Sequence, residues 1–329
     1  MKHFFVINNH SFYNQESLKQ LIADIENCFS GSMDYKVHIT RYPRDAIAAV
    51  HRYISNCPKD EIVRVYAVGG DGILFECLNG MVDFPNAELT SVPYGNANDF
   101  VLAFGDNAME SFRDIKKLSV SPSRPVDIIH CGSNYAIIQA NIGIIGQTII
   151  NANQLFPHLP DKWLHKNASF AYSICALWAL FNSEVMQQRY TILLDGEDFS
   201  DQYCNIHIAN GPRNGGGLLP NPYAKPDSGF MQVIMAKTNR KLDFIRVIGD
   251  YNKGHFEKHK FFIHKRCRTV EVKSDVLLKV EMDGEGFYAK ELKMELIPGG
   301  IKFFAPEGMD FFDYSHRAYK GASKDGSNQ

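Results

Sequence analysis

The chain has 329 residues, a formal net charge of −2 and an isoelectric point near 6.6. Its 45% hydrophobic content is ordinary for a protein with a buried core, and its length suits one large domain or two ordinary ones. The nearly balanced charge argues against a nucleic-acid-binding surface over the whole protein. The 7 cysteines are scattered without paired or metal-ligand spacing, which predicts buried, reduced thiols.

Strand and helix patterns alternate through the N-terminal part of the chain. Runs typical of strands, beginning with a continuous apolar run, occupy residues 4–7, 35–40, 63–68 and 89–92. Apolar residues at helical spacing occupy residues 17–29, 45–54 and 73–79. This alternation predicts a doubly wound α/β domain, in which ligands bind beyond the carboxyl ends of the strands.

The pattern changes after about residue 121, where short strand-like runs are separated by Gly, Asp and Asn turns. This pattern predicts an antiparallel β domain, a sandwich or similar, with one helical insert at residues 168–181. The insert is shorter than the roughly 20 residues that a bilayer span requires, so we expect a buried helix. The polar tail from Lys320 is predicted to be disordered.

The most informative stretch runs from Val68 to Gly80. A strand leads into Gly69, Gly70, Asp71 and Gly72, and a helix follows. Glycines let backbone N–H groups approach an anion, and the N-terminus of the helix favours negative charge. An aspartate among them would repel phosphate unless Mg²⁺ lies between the two. For these four residues alone, a tight β–α turn with a capping aspartate remains an alternative.

The longer pattern resembles the diacylglycerol kinase catalytic-domain family, which includes bacterial-type lipid kinases and is related to sphingosine kinases. The family's G-G-D-G-T-x-x-E-x-x-N-G motif is matched from Gly69 to Gly80. Its P-x-G-T-x-N-D-F block is matched at Pro93–Phe100, and its D-G-E element at Asp283–Glu285. Thr40 and Asp127 are two weaker matches. The blocks occur in the family's order over nearly the whole chain.

Four departures from the family pattern bear on activity. Ile73 and Asn96 replace threonines, the first loop (Asn8–Phe12) lacks the usual Pro and Gly, and Asp227 is displaced by one residue in the expected metal loop. A lost charge-assisted hydrogen bond costs about 1.5–3 kcal/mol, or roughly ten- to over a hundredfold in rate. ATP binding is still expected, while an altered substrate, another nucleotide or weak activity stays open.

The resemblance implies an ATP-dependent lipid kinase that transfers the γ-phosphoryl group to the hydroxyl of a lipid such as diacylglycerol, with Mg²⁺, in a cleft between domains. It implies that Asp283 or Glu285 is the general base, without deciding between them, and that Asp71 and Asp227 serve the metal. The positions that it assigns to cofactor binding are Asn8, Asn9, Thr40, Gly69, Gly70, Asp71, Gly72, Ile73, Glu76, Asn96, Asn98 and Asp99.

Three segments also have ordinary structural explanations. Asp283–Gly284 is a strong hairpin-turn signal. The glycines at 215–217 fit a flexible loop or a mobile rim of the lipid cleft. The basic segment from Lys253 to Arg268 fits contact with anionic lipid headgroups, or a solvated face with its aromatic residues turned inward.

The resemblance also sets the predicted domains and partners. Residues 1–124, with about 302–329, form a three-layer, NAD-kinase-like nucleotide-binding domain, and residues 125–301 form a β-sandwich-like lipid substrate domain. The alternatives are a weak or inactive nucleotide- or lipid-binding relative and an NAD-kinase-like enzyme. We expect a lipid alcohol substrate, transient contact with a membrane surface and no nucleic acid, and a homodimer stays open. With no signal-peptide pattern at the N-terminus, the expected location is cytoplasmic and peripheral to the membrane.

Overall fold

The computed structural model describes residues 1–12, 15–31, 34–182, 184–238 and 240–318. The tail predicted to be disordered lies outside these residues. The N-terminal part begins with alternating strands and helices: β1 (Lys2–Ile7), α1 (Gln15–Cys28), β2 (Tyr35–Ile39), α2 (Asp45–Ser55), β3 (Val63–Gly69), α3 (Asp71–Met81) and β4 (Ala87–Pro93). Three short helices follow: α4 (Asp99–Leu102), α5 (Ala108–Ser111) and α6 (Ile115–Val120).

The four N-terminal strands form a parallel sheet in the order β2-β1-β3-β4. Every residue of β3 and β4 is buried, as expected for central strands covered by helices on both faces. A buried ion pair between Arg64 and Glu88, 2.9 Å long, joins these two strands. The doubly wound α/β prediction is confirmed. The carboxyl ends of β1, β3 and β4 therefore meet along one edge of the sheet.

The second part is dominated by antiparallel strands in the order β15-β14-β7-β11-β12-β13. Its elements are β5 (Ser123–Cys131), β6 (Asn134–Ala136), β7 (Gln139–Gly143), α7 (Ile144–Leu155), α8 (Asp161–Asn182), β8 (Arg189–Leu194), β9 (Glu197–Asp198), β10 (Asp201–Gln202), β11 (Asn205–Ala209), β12 (Met231–Ala236), α9 (Lys241–Tyr251), β13 (Phe262–Cys267), β14 (Thr269–Met282) and β15 (Glu285–Phe304). The predicted β-sandwich-like second domain is confirmed.

The long strand β15 links the two parts. It leaves a hairpin with β14, pairs with β5, and at Lys302 and Phe303 runs parallel to β4. The predicted boundaries at residues 124 and 302 stay predictions. The strand has the further effect of holding the hairpin turn at Asp283–Gly284 in a fixed relation to the parallel sheet.

The expectation of a single helical insert is wrong, because α7 and α9 also occur within the described residues. The first turns of α7 are rich in isoleucine, which favours strands, yet the segment packs as a helix on β14 and β15. Gly146 permits this packing, since a Cβ there would lie 2.2 Å from the Lys279 carbonyl oxygen. The insert itself is longer than predicted, and most of its large apolar side chains are exposed rather than buried, although Leu180 is buried. Within the described residues, we find no helix with the length and apolar character needed to cross a bilayer.

Candidate active site

Two loops cross at the carboxyl ends of β3 and β4. The Gly69 carbonyl oxygen accepts hydrogen bonds from the amides of Tyr94 and Gly95, both at 2.9 Å. A Cβ on Gly95 would lie only 2.4 Å from the Gly70 Cα, so no other residue fits at this crossing. By contrast, a Cβ on Gly72 would meet nothing within 4 Å. The glycines thus have two uses: close packing of the two loops, and open backbone at the start of α3.

Asp71 is the first residue of α3, and its carboxylate bonds across to the second loop. It accepts the amide of Asp99 at 2.9 Å and that of Phe100 at 3.3 Å. Burial raises the pKa of Asp71 well above its ordinary value, and the charges of Asp99 and Asp283 raise it further. The charges of two carboxylates from two other segments therefore act on Asp71.

Asp99 joins the two parts of the protein. Its carboxylate accepts the amides of Gly216 at 3.0 Å and Gly217 at 2.7 Å. Burial raises the pKa of Asp99, and these two hydrogen bonds oppose the rise. The Arg213 guanidinium holds the same loop by donating to the Gly217 carbonyl oxygen, and it also pairs with Asp106. In this structure the glycine-rich loop lies against the nucleotide-loop aspartate.

Asp283 lies in the hairpin turn that the Asp-Gly pair predicts, and its predicted role as a base stays a prediction. The turn between β14 and β15 has positive φ at both positions, 45° at Asp283 and 94° at Gly284, as a two-residue type I′ hairpin requires. The buried carboxylate accepts the amides of residues 137–139 at 2.7, 3.1 and 2.8 Å. Burial nevertheless raises the pKa of Asp283 to about 7, and the Asp99 charge contributes.

The two neighbouring acids differ in position. Glu285 is half-buried beyond the turn, and its charge acts on Glu76 rather than on Asp71. Glu281, which the sequence analysis did not select, is buried and accepts the Gly284 amide at 2.7 Å and the Asn141 side chain at 2.8 Å. Burial raises the pKa of Glu281 to about 7. The sequence did contain a signal for Glu281: it is a single acidic residue between the apolar Val280 and Met282.

Glu76 has a structural contact in this protein. Its two carboxylate oxygens accept the amides of Arg44 and Ala46, both at 3.0 Å, at the start of α2. These bonds satisfy amides that the first turn of a helix leaves without an intrahelical partner. Its predicted part in cofactor binding stays a prediction, and the contact with α2 is what the structure contains.

Asn79 and Gly80 fasten α3 to its neighbours. The Asn79 side chain donates to the Tyr135 carbonyl oxygen at 2.8 Å and accepts the Tyr135 amide at 2.9 Å. A Cβ on Gly80 would lie 2.7 Å from the Ile47 carbonyl oxygen, so glycine allows α2 to approach α3. The E-x-x-N-G part of the motif therefore holds α3, which follows the glycine loop, against α2 and β6.

Replacing Asn79 by Ala should lower the free energy of unfolding by about 1–3 kcal/mol, because both backbone groups of Tyr135 lose their partner. Urea titration measures the change. Asn56→Ala is the matched control, since the exposed Asn56 side chain makes one bond, to the Arg52 carbonyl oxygen. Equal, small effects in both variants would show that Asn79 does not fasten α3.

The remaining predicted nucleotide residues lie beside the first loop. An open groove of about 660 Å³ at the ends of β1 and β2 is lined by Asn9, His10, Val37, His38, Ile39, Thr40 and Arg41. Asn8 caps the first loop by accepting the His10 amide at 3.0 Å. The Thr40 hydroxyl donates to the Ile7 carbonyl oxygen at 3.3 Å. Ile73 is buried, and a Cβ on Gly69 would lie 2.9 Å from its Cγ2 atom.

Asn98 presents a buried acceptor at the crossing loops. Its side-chain nitrogen donates to the Gly95 carbonyl oxygen at 2.8 Å, while its Oδ1 atom is buried without a hydrogen-bond partner in the described part of the chain. A buried polar atom of this kind favours a ligand that donates a hydrogen bond. Asn96 lies in the same loop, with its carbonyl oxygen 3.7 Å from where a Cβ on Gly216 would stand.

The residues at this site suit a Mg²⁺ ion that is shared with nucleotide phosphates better than one that is held by protein ligands alone. Across the described ranges, no cluster of at least three His, Cys, Asp or Glu side chains could hold an ion. Asp227 pairs instead with Lys225 at 3.4 Å. The mutually repelling Asp71, Asp99 and Asp283 favour a nearby cation. Mg²⁺ ordinarily uses one or two carboxylates, phosphate oxygens and water, which suits this arrangement.

Comparison with known proteins agrees with this geometry. The model of the diacylglycerol kinase catalytic domain matches residues 2–131, and that of the YegS C-terminal NAD kinase beta sandwich-like domain matches residues 157–305. A Shewanella frigidimarina protein named probable lipid kinase YegS-like is 28% identical over 260 residues, 78% of this chain and 80% of that protein. A Chromohalobacter salexigens protein of the same name is 28% identical over 250 residues, 75% of this chain and 77% of that protein.

Solved structures share the whole fold. One described as a diacylglycerol kinase from Bacillus anthracis str. Sterne superposes with a TM-score of 0.67 at 19% identity, over 94% of this chain and 98% of that one. The matched domains and the relatives together give the assignment. This chain contains an N-terminal diacylglycerol kinase catalytic domain and a C-terminal domain of the YegS, NAD kinase beta sandwich-like type.

Proposed function

We propose that the protein transfers the γ-phosphoryl group of ATP to the hydroxyl of a lipid alcohol such as diacylglycerol. The reaction takes place with Mg²⁺ in the cleft between the crossing loops and the Asp-Gly hairpin. One observation carries the proposal: the buried Asp71 carboxylate accepts the Asp99 amide where the two loops of the α/β part cross, and the Asp99 carboxylate accepts the amides of Gly216 and Gly217 from the β part. The charges of Asp99 and Asp283 also raise the pKa of Asp71. Phosphoryl transfer needs positioning and charge neutralisation, and this arrangement supplies both.

The nucleotide phosphates are held by backbone. The amides of Gly70 and Gly72 and the N-terminus of α3 provide donors without side chains in the way. The Asn98 Oδ1 atom provides an acceptor, and the groove beside Thr40 receives the rest of the nucleotide. Mg²⁺, when bound, neutralises phosphate charge, and Asp71 holds it directly or through water.

Asp283 takes the proton from the lipid hydroxyl. A general base works best when its pKa lies near the working pH, and burial raises the pKa of Asp283 to about 7. The amides of residues 137–139 fix the direction of the carboxylate, and Glu281 fixes the turn through the Gly284 amide. Glu285 lacks these contacts, so we favour Asp283 over Glu285.

Two alternatives remain distinguishable. A weak or inactive relative is supported by Ile73, which removes a hydroxyl beside the phosphates, and by the altered first loop. Activity is supported by the position of the acidic residues, because the charges of Asp99 and Asp283 both act on Asp71. An NAD-kinase-like enzyme would use the same phosphate-binding loop on a soluble acceptor.

The test is Mg²⁺-dependent ATP turnover over a panel of acceptors. Diacylglycerol, a sphingoid base and a polyprenol are presented in mixed micelles, and NAD is presented in buffer. Turnover with one lipid alone supports the proposal and names the substrate. Turnover with NAD alone supports the NAD-kinase alternative. ATP binding by calorimetry without turnover on any acceptor supports the non-catalytic one.

The rate should depend on pH through Asp283. Burial raises the pKa of Asp283 from 3.8 to about 7. Below pH 7 the Asp283 carboxyl group is therefore mostly protonated and cannot accept the proton of the lipid hydroxyl. We expect kcat/KM to rise with pH up to about 7 and then to level off. A pH profile that is flat from acid to neutral pH would exclude Asp283 as the base.

Asp283 and Glu281 should also make the stability of the protein depend on pH, with stability falling over the range in which the rate rises. In the native state Asp283 and Glu281 keep protons that the unfolded chain releases near their ordinary pKa values of 3.8 and 4.5. The free energy of unfolding should therefore fall as pH rises from about 4 to 7. Urea titrations across this range measure the slope. A double substitution, Asp283→Asn with Glu281→Gln, should reduce it, while Asp71 and Asp99, whose pKa values burial also raises, keep part of it.

A further inference from the structure

Helix α8 exposes its large apolar side chains, which an ordinary surface helix buries. Its buried face consists mainly of small residues, with Ala171, Cys175 and Ala179 each at most 1% exposed, together with Leu180 near its end. The opposite face carries large apolar side chains at helical spacing, and it is exposed: Phe170, Ile174, Leu177, Trp178 and Phe181. Soluble helices normally turn such a stripe toward the core. A contiguous apolar stripe of this kind marks a surface that binds another apolar phase or partner.

This outer face continues onto the beginning of α9. The Lys241 ammonium donates to the Phe181 carbonyl oxygen at 3.1 Å and lies 5.1 Å from the centre of the Phe181 ring. Leu242 and Ile245 extend the apolar surface, and they are 75% and 45% exposed. We call the exposed side chains of α8 together with Leu242 and Ile245 the α8 face.

The charges around the α8 face favour a lipid surface as its occupant. Residues 162–183 contain no Asp or Glu, whereas Lys166 precedes the apolar stripe and Lys241 lies at its end. Arg246 follows on α9, where it pairs with Asp243 at 3.6 Å. Exposed tryptophan beside lysine is typical of helices that lie in the headgroup region of a bilayer. Lysine near an anionic leaflet adds attraction that depends on salt. A protein partner would not require this combination of bordering cations and interfacial aromatics.

The basic segment at 253–268 has a different character. Phe256 is 1% exposed and packs against Phe262 and His264. Its aromatic residues are thus turned inward, as in a solvated basic face. On the α8 face, by contrast, five large apolar side chains of one helix are exposed close to lysine.

The α8 face also lies next to the catalytic hairpin. Helix α8 packs on α7, where the Asn151 side chain donates to the Cys175 carbonyl oxygen at 3.3 Å. Helix α7 in turn lies on the hairpin, because a Cβ on Gly286 would meet Ile150 Cγ1 at 2.9 Å. Tyr172 of α8 is partly exposed, yet burial raises the pKa of its hydroxyl to about 12, with the Glu281 charge as a further cause.

We propose that the α8 face docks on the surface of a membrane that carries anionic headgroups, and that it presents the cleft to lipid in that membrane. The docking itself follows from exposure and charge. Only the delivery of substrate rests on the proposed function. The helix lies in the interface, with its apolar stripe among the acyl chains and its small-residue side on the protein.

The unmodified protein provides a direct measurement. The chain has 2 tryptophans, Trp163 and Trp178, and both are exposed on α8. We expect their emission to shift to shorter wavelength, and the protein to float with vesicles, when phosphatidylglycerol is mixed into phosphatidylcholine. High salt should weaken the binding. No spectral shift and no flotation with either vesicle would overturn the proposal.

A triple substitution locates the surface. Ile174→Ser, Leu177→Ser and Phe181→Ser together should weaken vesicle binding by at least about tenfold, since each side chain loses apolar transfer energy. The control replaces three exposed apolar residues elsewhere, Ile62→Ser, Val120→Ser and Val276→Ser, and should bind as wild type. If the triple variant does not fold, Leu177→Ser alone replaces it. Unchanged binding in the α8 variants would overturn the proposal.

Two further readouts separate the explanations. Sedimentation velocity shows whether the α8 face binds a second copy. If wild type forms a dimer that the triple substitution dissociates, and wild type does not bind vesicles, membrane docking is overturned. Turnover of a short-chain, water-soluble diacylglycerol should be equal in wild type and variant, while turnover on vesicles falls in the variant. Vesicle binding without turnover of any lipid would refute the proposed kinase function alone.

Discussion

Replacing Asp283 by Asn should lower kcat for lipid phosphorylation by about 10²–10⁴-fold, the usual contribution of a general base. The amide keeps the size of the side chain but accepts no proton at neutral pH. It also places an NH₂ group against one of the amides of residues 137–139. KM for ATP should change little, because Asp283 lies on the hairpin rather than on the phosphate-binding loop. Steady-state kinetics in mixed micelles separates the two constants.

The chain contains a matched control for this substitution. Asp195–Gly196 forms a second turn with positive φ, 49° and 85°, and the Asp195 carboxylate likewise accepts backbone amides, from Arg268 at 2.9 Å and Thr269 at 2.8 Å. Asp195→Asn should leave kcat close to wild type. Equal losses in the two variants would mean that turn geometry, not proton transfer, explains the effect. A large loss in Glu285→Gln with little in Asp283→Asn would assign the base to Glu285.

Replacing Gly95 by Ala should abolish ATP binding and lower the free energy of unfolding by about 1–3 kcal/mol, the usual cost of overpacking. The new Cβ would lie 2.4 Å from the Gly70 Cα and 2.5 Å from its nitrogen. Both are backbone atoms, so no side chain can rotate away. The two loops must separate, which moves Asp99 away from Asp71. Calorimetric titration with ATP and urea titration measure the two effects.

Two other glycines test whether this effect is specific. Gly249→Ala, in α9 with nothing within 4 Å of the new Cβ, should preserve stability and ATP binding. Gly72→Ala, equally unobstructed but in the phosphate-binding loop, should preserve stability while weakening ATP binding. If Gly95→Ala binds ATP like wild type, the crossing of the two loops does not position the nucleotide.

The sequence was least informative where one short pattern serves two purposes. Asp195–Gly196 and Asp283–Gly284 are identical dipeptides in equivalent turns, and only the second meets Asp71 and Asp99. A dipeptide determines a backbone conformation, but pairing between distant strands determines what its side chain faces. The same reason explains why Glu281 escaped notice and why Glu76 caps α2 in this structure.

The sequence by itself determined the parallel α/β part, the β-rich part and the family. Alternating apolar periods and the glycine-rich motif after the third strand are local patterns in the chain. Only the tertiary structure decided that the glycine loop at 215–217 binds Asp99, and that α8 exposes its large apolar side chains. Helical spacing reveals that an apolar stripe exists. Which side of the helix the rest of the protein covers depends on packing against α7, and no local pattern records that contact.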